Sequence, residues 1–283
     1  ALVSGLLAVA AAATDYIPRQ SFPKNVVAGF ASLKNADGVV ATWWDYGYIS
    51  PFFNDLPTLH DGGSQTTPVT HFFARALLEE NQETSVGILK LLSDGGMAEI
   101  SKHRFKADMD DAFKAAKDIP GPDIFVVATG QMARWMGSIS KIGNWDIETG
   151  KPVSLRNNPD GPKVDYRRLN CRLKDYPSSL SCQGVEIDLQ RGLISGRPLL
   201  IGWTHTRDGE ILRLHDFDHD AEHALQIVQE GNRLTIYFLH RRLYESTFNK
   251  LFHQGLVEHP AISLHYDDFP HIRIYRINGN PGG

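Results

Sequence analysis

Val39-Val40-Ala41-Thr42-Trp43-Trp44-Asp45-Tyr46-Gly47 is the stretch on which the architecture turns. β-Branched and aromatic residues run without a break up to Asp45, the pattern of a buried strand that exits into a loop. The turn signal Asn35-Ala36-Asp37-Gly38 precedes it, and Phe30 to Lys34 reads as the end of a short helix. Side chains at a strand exit stand at the edge of a sheet, which suits recognition better than core packing. Neighbouring strand residues point to opposite faces, so one indole packs inward while the other faces a ligand. Two adjacent tryptophans at such a place are costly unless they bind something, and the aspartate between them and Tyr46 accepts a hydrogen bond from a hydroxyl or an N–H. Residue chemistry alone leaves two readings open, a binding site and a structural aromatic corner.

Working outward, Asp123-Ile124-Phe125-Val126-Val127-Ala128 is a second hydrophobic strand, and Gln131 to Ile139 reads as a helix with Met132, Trp135, Met136 and Ile139 along one side. Residues 69 to 93 carry apolar positions at helical spacing with a break near Asn81, and a further helix over Asp108 to Lys117 is stopped by Pro120-Gly121-Pro122. From about Gly143 to Asp220, turn signals such as Asn158-Pro159-Asp160-Gly161 and Arg207-Asp208-Gly209 separate short strand-like runs. Leu234 to Leu239 returns as a core strand, Leu243 to Phe252 as a helix, and Ile272 to Ile277 alternates like an edge strand. The fold class predicted is mixed α/β, an α/β core built from both ends of the chain around a β-rich insertion. Residues 15–142 hold the first part of the core with the motif, 143–230 the insertion, and 231–283 the remainder of the core. Ala1 to Ala13 is uncharged and rich in Ala, Leu and Val. It is shorter than the roughly 20 residues that span a bilayer, so residues 1–14 read as the end of a truncated transmembrane helix, with an ordinary buried N-terminal helix as the alternative.

The chain has 283 residues, 42% of them hydrophobic and 22% charged, enough for one sizeable core or a core with a smaller lobe. A formal net charge of −4 and scattered Lys and Arg residues argue against a nucleic-acid partner. Cys171 and Cys182 are separated by a polar stretch with Pro177, compatible with a disulfide or with two free thiols.

The motif and its sequel, Tyr48, Phe52-Phe53-Asn54-Asp55, Leu59-His60-Asp61-Gly62-Gly63 and Phe72-Phe73, resemble the signature region of oligosaccharyltransferase catalytic subunits. The order is that of bacterial, PglB-like members, and the resemblance is to their C-terminal periplasmic domain. It implies transfer of a lipid-linked oligosaccharide to asparagine, with Trp43, Trp44 and Asp45 binding the Ser or Thr of an Asn-x-Ser/Thr sequon and Tyr46 and Gly47 completing the motif. It also places Met132 against the methyl of a sequon threonine. Trp135 stands where bacterial members carry an isoleucine, so a weaker preference for Thr over Ser is expected. No catalytic or metal-binding residue is expected in this chain, since the acids that hold Mn or Mg and the lipid-pyrophosphate site lie in the family's transmembrane part. The implied location is the inner membrane, with this domain on the periplasmic or extracellular side, where oxidation favours a Cys171–Cys182 bridge.

Two readings of other classes compete. His215, His219 and His223, spaced by four and interleaved with carboxylates, would share a helix face and suggest a metal-dependent hydrolase. The strand-like Glu210 to Leu214 that precedes them weakens that reading. A stand-alone carbohydrate- or peptide-binding module is the other alternative.

Overall fold

A computed structural model describes residues 22–100, 106–146, 151–152, 166–173 and 175–280. The expected transmembrane segment 1–14 lies outside the described residues. No helix among those described is long and apolar enough to cross a membrane.

The chain is mixed α/β, and its strands form separate sheets. The first sheet has four strands in the order Val39–Ala41, Ile124–Thr129, Ile272–Ile277, Ile262–Asp268. Val39–Ala41 runs parallel to Ile124–Thr129, with Val39 opposite Ile124 and Ala41 opposite Val126. The other two pairings are antiparallel. Helices cover both faces. Lys24–Ala31 approaches so closely that a Cβ on Gly29 would lie 2.6 Å from Ile272 Cδ1. On the other side Tyr275 donates to the Leu251 carbonyl at 2.7 Å. Burial on two faces explains why Ile124–Thr129 is apolar or enclosed at every position and shows no alternation.

Three sequence expectations change here. The strand Ile272–Ile277 is interior, and the edge is Ile262–Asp268. Arg273, which in sequence looked like an outward position, is only 3% exposed. Its guanidinium pairs with both carboxylate oxygens of Asp267 at 3.0 and 2.9 Å and donates to the carbonyls of Phe252 and Gly209. The strand beginning at Val39 ends at Ala41, and Trp44–Tyr46 forms a short 3₁₀ turn. Leu243 to Phe252 is a series of short helical turns, Arg241–Tyr244, Thr247–Asn249 and Lys250–Gln254. Ser246 separates the first two: its hydroxyl donates to the Leu243 carbonyl and accepts from the Asn249 N–H, ending one turn and capping the next.

The β-rich part contains two sheets of five strands. The larger is ordered Glu210–Asp216, Leu200–Arg207, His223–Glu230, Arg233–His240, Tyr166–Leu169. Arg233–His240 pairs with His223–Glu230 along its whole length, from Glu230 opposite Arg233 to His223 opposite His240. A boundary between residues 230 and 231 therefore falls within one hairpin, and the strand assigned to the end of the core belongs to the β-rich sheet. Its hydrophobic strength is explained by what it buries. Ile236 enters a separate cluster with Leu180, Trp203, Leu225 and Ile227, whereas Leu239 and Ala224 reach the main core. The smaller sheet carries the Cys171–Cys182 disulfide, which joins directly opposed residues of adjacent strands.

One core residue gives the molecule an acid sensitivity. His253 is 4% exposed among the rings of Tyr237, Phe252 and Phe269, and neither of its ring nitrogens has a hydrogen-bond partner among the described residues. Burial, reinforced by the Arg273 charge, holds its pKa down at about 3. An unfolded histidine takes its proton near pH 6.5, so between that pH and about 3 the unfolded state binds the extra proton and stability falls as the pH drops. Urea unfolding across pH 4 to 7 is expected to show this loss, up to about 1.4 kcal/mol per pH unit from this residue. His253→Phe should flatten the profile; a slope unchanged by the substitution would refute the assignment.

Candidate functional site

The motif lies where Val39–Ala41 leaves the first sheet, beside the N-terminus of the helix Gly130–Gly143 that follows the neighbouring parallel strand. This is the end of the sheet at which parallel strands deliver their loops, the usual place for ligand contact. The backbone closes at once into the 3₁₀ turn, with Tyr46 N–H donating to the Trp43 carbonyl at 2.8 Å and Gly47 N–H to that of Trp44 at 3.1 Å.

The turn sorts the side chains. Trp43 is 4% exposed, edge-on to His60 with ring centroids 5.4 Å apart and tilted against Phe73 at 6.3 Å. Trp44 and Asp45 are half-buried and keep an open side. Tyr46 is enclosed between Phe30, Phe22 and Trp135, at centroid distances of 6.3, 5.9 and 6.2 Å. The expectation that one indole packs inward and its neighbour stays accessible holds, although a tight turn produces the difference where strand alternation was expected to.

Gly47 is explained by space. A Cβ there would lie 2.5 Å from both the Asp61 Cα and the His60 carbonyl oxygen, distances that backbone atoms do not tolerate. The motif is therefore locked against the segment Leu59-His60-Asp61-Gly62-Gly63. That segment is itself folded by Ser64 N–H donating to Asp61 Oδ1 at 2.9 Å and by Asp61 N–H donating to the Ser64 hydroxyl at 2.9 Å. Sequence proximity showed the two segments in order; only the fold shows them in contact.

Thr129 couples the motif to the following helix. Its hydroxyl caps that helix by accepting from Met132 N–H at 3.1 Å and donates to the Tyr46 hydroxyl at 3.3 Å. Neither Thr129 nor His60 was singled out from sequence, though a threonine directly before Gly130-Gln131-Met132 is a readable helix-capping signal. Trp135 is half-buried and touches the motif through Tyr46. Met132, by contrast, is fully enclosed at 0% exposure, so it packs the helix onto the core and has no surface for a ligand.

Electrostatically the site is a partly desolvated acid. Burial pushes the Asp45 carboxyl above its ordinary pKa, opposed by a hydrogen bond from its own backbone N–H. His60 is held down at about 4, chiefly by burial, and is neutral at physiological pH. Such a carboxylate gains more from a donor arriving in the open side than a fully hydrated one does. Next to it, Tyr48 is 65% and Phe52 81% exposed, four residues apart on the short helix Ile49–Asn54 and at the residue before it. Exposed rings beside a polar notch are common at binding surfaces.

The histidines that prompted a metal reading do not assemble. His215 lies on the strand Glu210–Asp216, stacks on Trp203 and meets the Phe217 ring at a tilt. His219 follows that strand and contacts the Arg191 carbonyl, and His223 begins another strand and stacks on Phe238. Extended chain rises about 3.3 Å per residue, so positions four apart stand well beyond ligand distance, and the strands of His215 and His223 are moreover separated by Leu200–Arg207. Among the described residues no three His, Cys, Asp or Glu side chains come together as metal ligands.

Residues 36–149 match the STT3/PglB/AglB core domain. The chain is 33% identical over 60 residues to a dolichyl-phosphooligosaccharide-protein glycotransferase of Methanocaldococcus jannaschii, covering 21% of this chain and 6% of that protein. It is 29% identical over 84 residues to the undecaprenyl-diphosphooligosaccharide–protein glycotransferase of Campylobacter jejuni, covering 30% of this chain and 11% of that protein. The matched stretches thus span about a tenth or less of these relatives' length. Its fold is shared with the C-terminal domain of C. jejuni PglB, with a TM-score of 0.66 and 15% identity over 89% of this chain and 99% of that one. Residues 36–149 thus resemble the STT3/PglB/AglB core domain, and the fold over nearly the whole chain is shared with the C-terminal domain of C. jejuni PglB.

Proposed function

We propose that this domain reads the sequon of an acceptor polypeptide for a transferase that moves a lipid-linked oligosaccharide onto asparagine. The observation that carries the reading is the half-buried Asp45 carboxylate, set on a tight turn directly after an enclosed Trp43 and a half-open Trp44. A carboxylate accepts from the Ser or Thr hydroxyl, and indole N–H groups donate to the same oxygen, so all of the hydroxyl's bonding capacity is satisfied in one place. Trp135 and the exposed rings of Tyr48 and Phe52 supply apolar surface for the rest of the peptide. Tyr46 and Gly47 hold the turn. Met132 supports the helix that carries Trp135 and takes no part in peptide contact.

On this reading the chain makes no bonds itself. The acids that hold Mn or Mg, and the site for the lipid-linked oligosaccharide, belong to a membrane part outside this sequence, and the domain stands on the periplasmic or extracellular side. The domain acts by binding and orienting the acceptor. A polar notch built around a hydroxyl rejects a peptide lacking it more strongly than an apolar slot would.

The complete protein is therefore expected to bind a dye-labelled peptide containing Asn-Ala-Thr at least about tenfold more tightly than the same peptide with Asn-Ala-Ala, the worth of one hydrogen bond to a charged group. Equal anisotropy titrations for the two peptides would remove the proposal.

A further inference from the structure

We propose that His60 is a positioning residue that sets the orientation of the Trp43 indole and thereby the strictness with which the sequon hydroxyl is read; this rests on the function proposed above. His60 is 0% exposed and lies directly behind the motif. Its ring meets Trp43 edge-on, at 5.4 Å and 81° between planes, and packs against Phe73 at 5.4 Å on another side. Its backbone carbonyl, with the Asp61 backbone, leaves no room for a side chain at Gly47. One residue thus contacts the motif at its first buried ring and at its last backbone position.

The choice of imidazole is informative. A phenyl or aliphatic side chain would fill this niche without the cost of burying a polar ring, and His60 Nδ1 has no hydrogen-bond partner among the described residues. What imidazole adds is the contact of Nε2 with the Thr70 hydroxyl at 2.9 Å. That hydroxyl donates its own proton to the Gln65 carbonyl at 2.8 Å, so Nε2 carries the hydrogen and donates to Thr70 Oγ1. The bond fixes the rotation of the ring about Cβ–Cγ, and with it the edge presented to Trp43. Thr70 is on the helix Pro68–Leu78, so the motif is referenced to a rigid element of the core and not only to its own loop. Neutral His60 keeps this geometry across the physiological range, because burial holds its pKa at about 4 against the opposing influence of Asp61.

The test compares His60→Phe, which keeps a ring but loses the Nε2 bond, with Thr70→Val, which keeps both rings and removes the bond's other end. Each is made in the complete protein and titrated with the labelled Asn-Ala-Thr and Asn-Ala-Ala peptides, alongside Asp45→Ala. The quantity read is the ratio of the two affinities, which partial unfolding does not change because it scales both alike. Both variants are expected to lower the ratio by roughly tenfold, as displacement of a neighbouring recognition group does. A wild-type ratio in both, with the ratio lost in Asp45→Ala, would overturn the role of His60 and leave the sequon reading standing. A ratio unaffected by Asp45→Ala would instead remove the sequon reading, and this inference with it. Should His60→Phe fail to fold, the nearly isosteric Thr70→Val decides alone.

Discussion

Asp45→Ala in the complete protein is expected to weaken binding of an Asn-Ala-Thr peptide by roughly 10- to 100-fold, the range for losing a hydrogen bond to a charged group, while hardly changing the binding of Asn-Ala-Ala. The selectivity of the loss matters more than its size. Asp45 is half-buried on the open side of the turn, so removing its carboxylate leaves the enclosed Trp43 and Tyr46 packing intact and the melting temperature nearly unchanged. Glycosylation should fall with affinity at low peptide concentration. Asp45→Asn, which retains an acceptor oxygen without the charge, should lie between the two. Acid should mimic the substitution: burial raises the Asp45 pKa, so the carboxylate begins to protonate, and the Thr peptide to dissociate, at a higher pH than for an exposed aspartate. Unchanged Thr-peptide affinity in Asp45→Ala would refute the assignment.

The second large effect concerns stability. Arg273→Ala is expected to destabilise the fold by about 3 kcal/mol, as breaking a buried ion pair from one side does. The side chain joins three regions. It pairs bidentately with Asp267 on the adjacent edge strand, donates to the Leu251 and Phe252 carbonyls of the broken helical segment, and donates to the Gly209 carbonyl at 2.8 Å in the β-rich part. The guanidinium also lies over the Phe269 ring at 4.9 Å. Gly209 has a φ of +87°, and a Cβ there would run into the guanidinium, so the turn itself is shaped around the arginine. Truncation removes one donor from each of the Leu251, Phe252 and Gly209 carbonyls, of which Leu251 keeps the Tyr275 hydroxyl, and leaves Asp267 without its cation. Urea unfolding monitored by circular dichroism measures the loss; a cost below about 1 kcal/mol would show that the pair is solvated like a surface one. Arg273→Lys should recover only part, because an ammonium cannot reproduce the planar bidentate geometry.

Much of the fold was legible from local pattern. The strand Ile124–Thr129, the helices Pro68–Leu78 and Gln82–Asp94 with their break at Asn81, and the β-rich middle follow from period, turn residues and caps. Asn81 illustrates why: its side chain accepts from Glu83 N–H at 2.7 Å, a capping interaction written within three residues. Misreadings occur where a distant segment settles the matter. Ile272–Ile277 looked like an edge because arginine at position 273 normally marks the solvent side, and the carboxylate and carbonyls that accept it come from other elements. Arg233–His240 looked like core because it is apolar, but apolar strands serve either of two hydrophobic clusters, and its hairpin partner decides which.

The candidate site divides in the same way. The Trp43 to Gly47 motif, its place at a strand exit and the unequal burial of its two indoles were readable, because residue type and backbone direction are properties of the chain itself. Whether a given side chain reaches solvent was not. Met132 and Trp135 sit one helical turn apart, yet one is sealed and the other half-open, according to what packs over each turn. His60 carries no signal as a single histidine; its significance comes from Trp43, Gly47 and Thr70 meeting around it. The sequence by itself determined the Trp43 to Gly47 motif and the order of local structure. Tertiary structure alone decided which residues are sealed, which are paired and which remain available, because burial and pairing depend on surfaces that arrive from elsewhere in the chain.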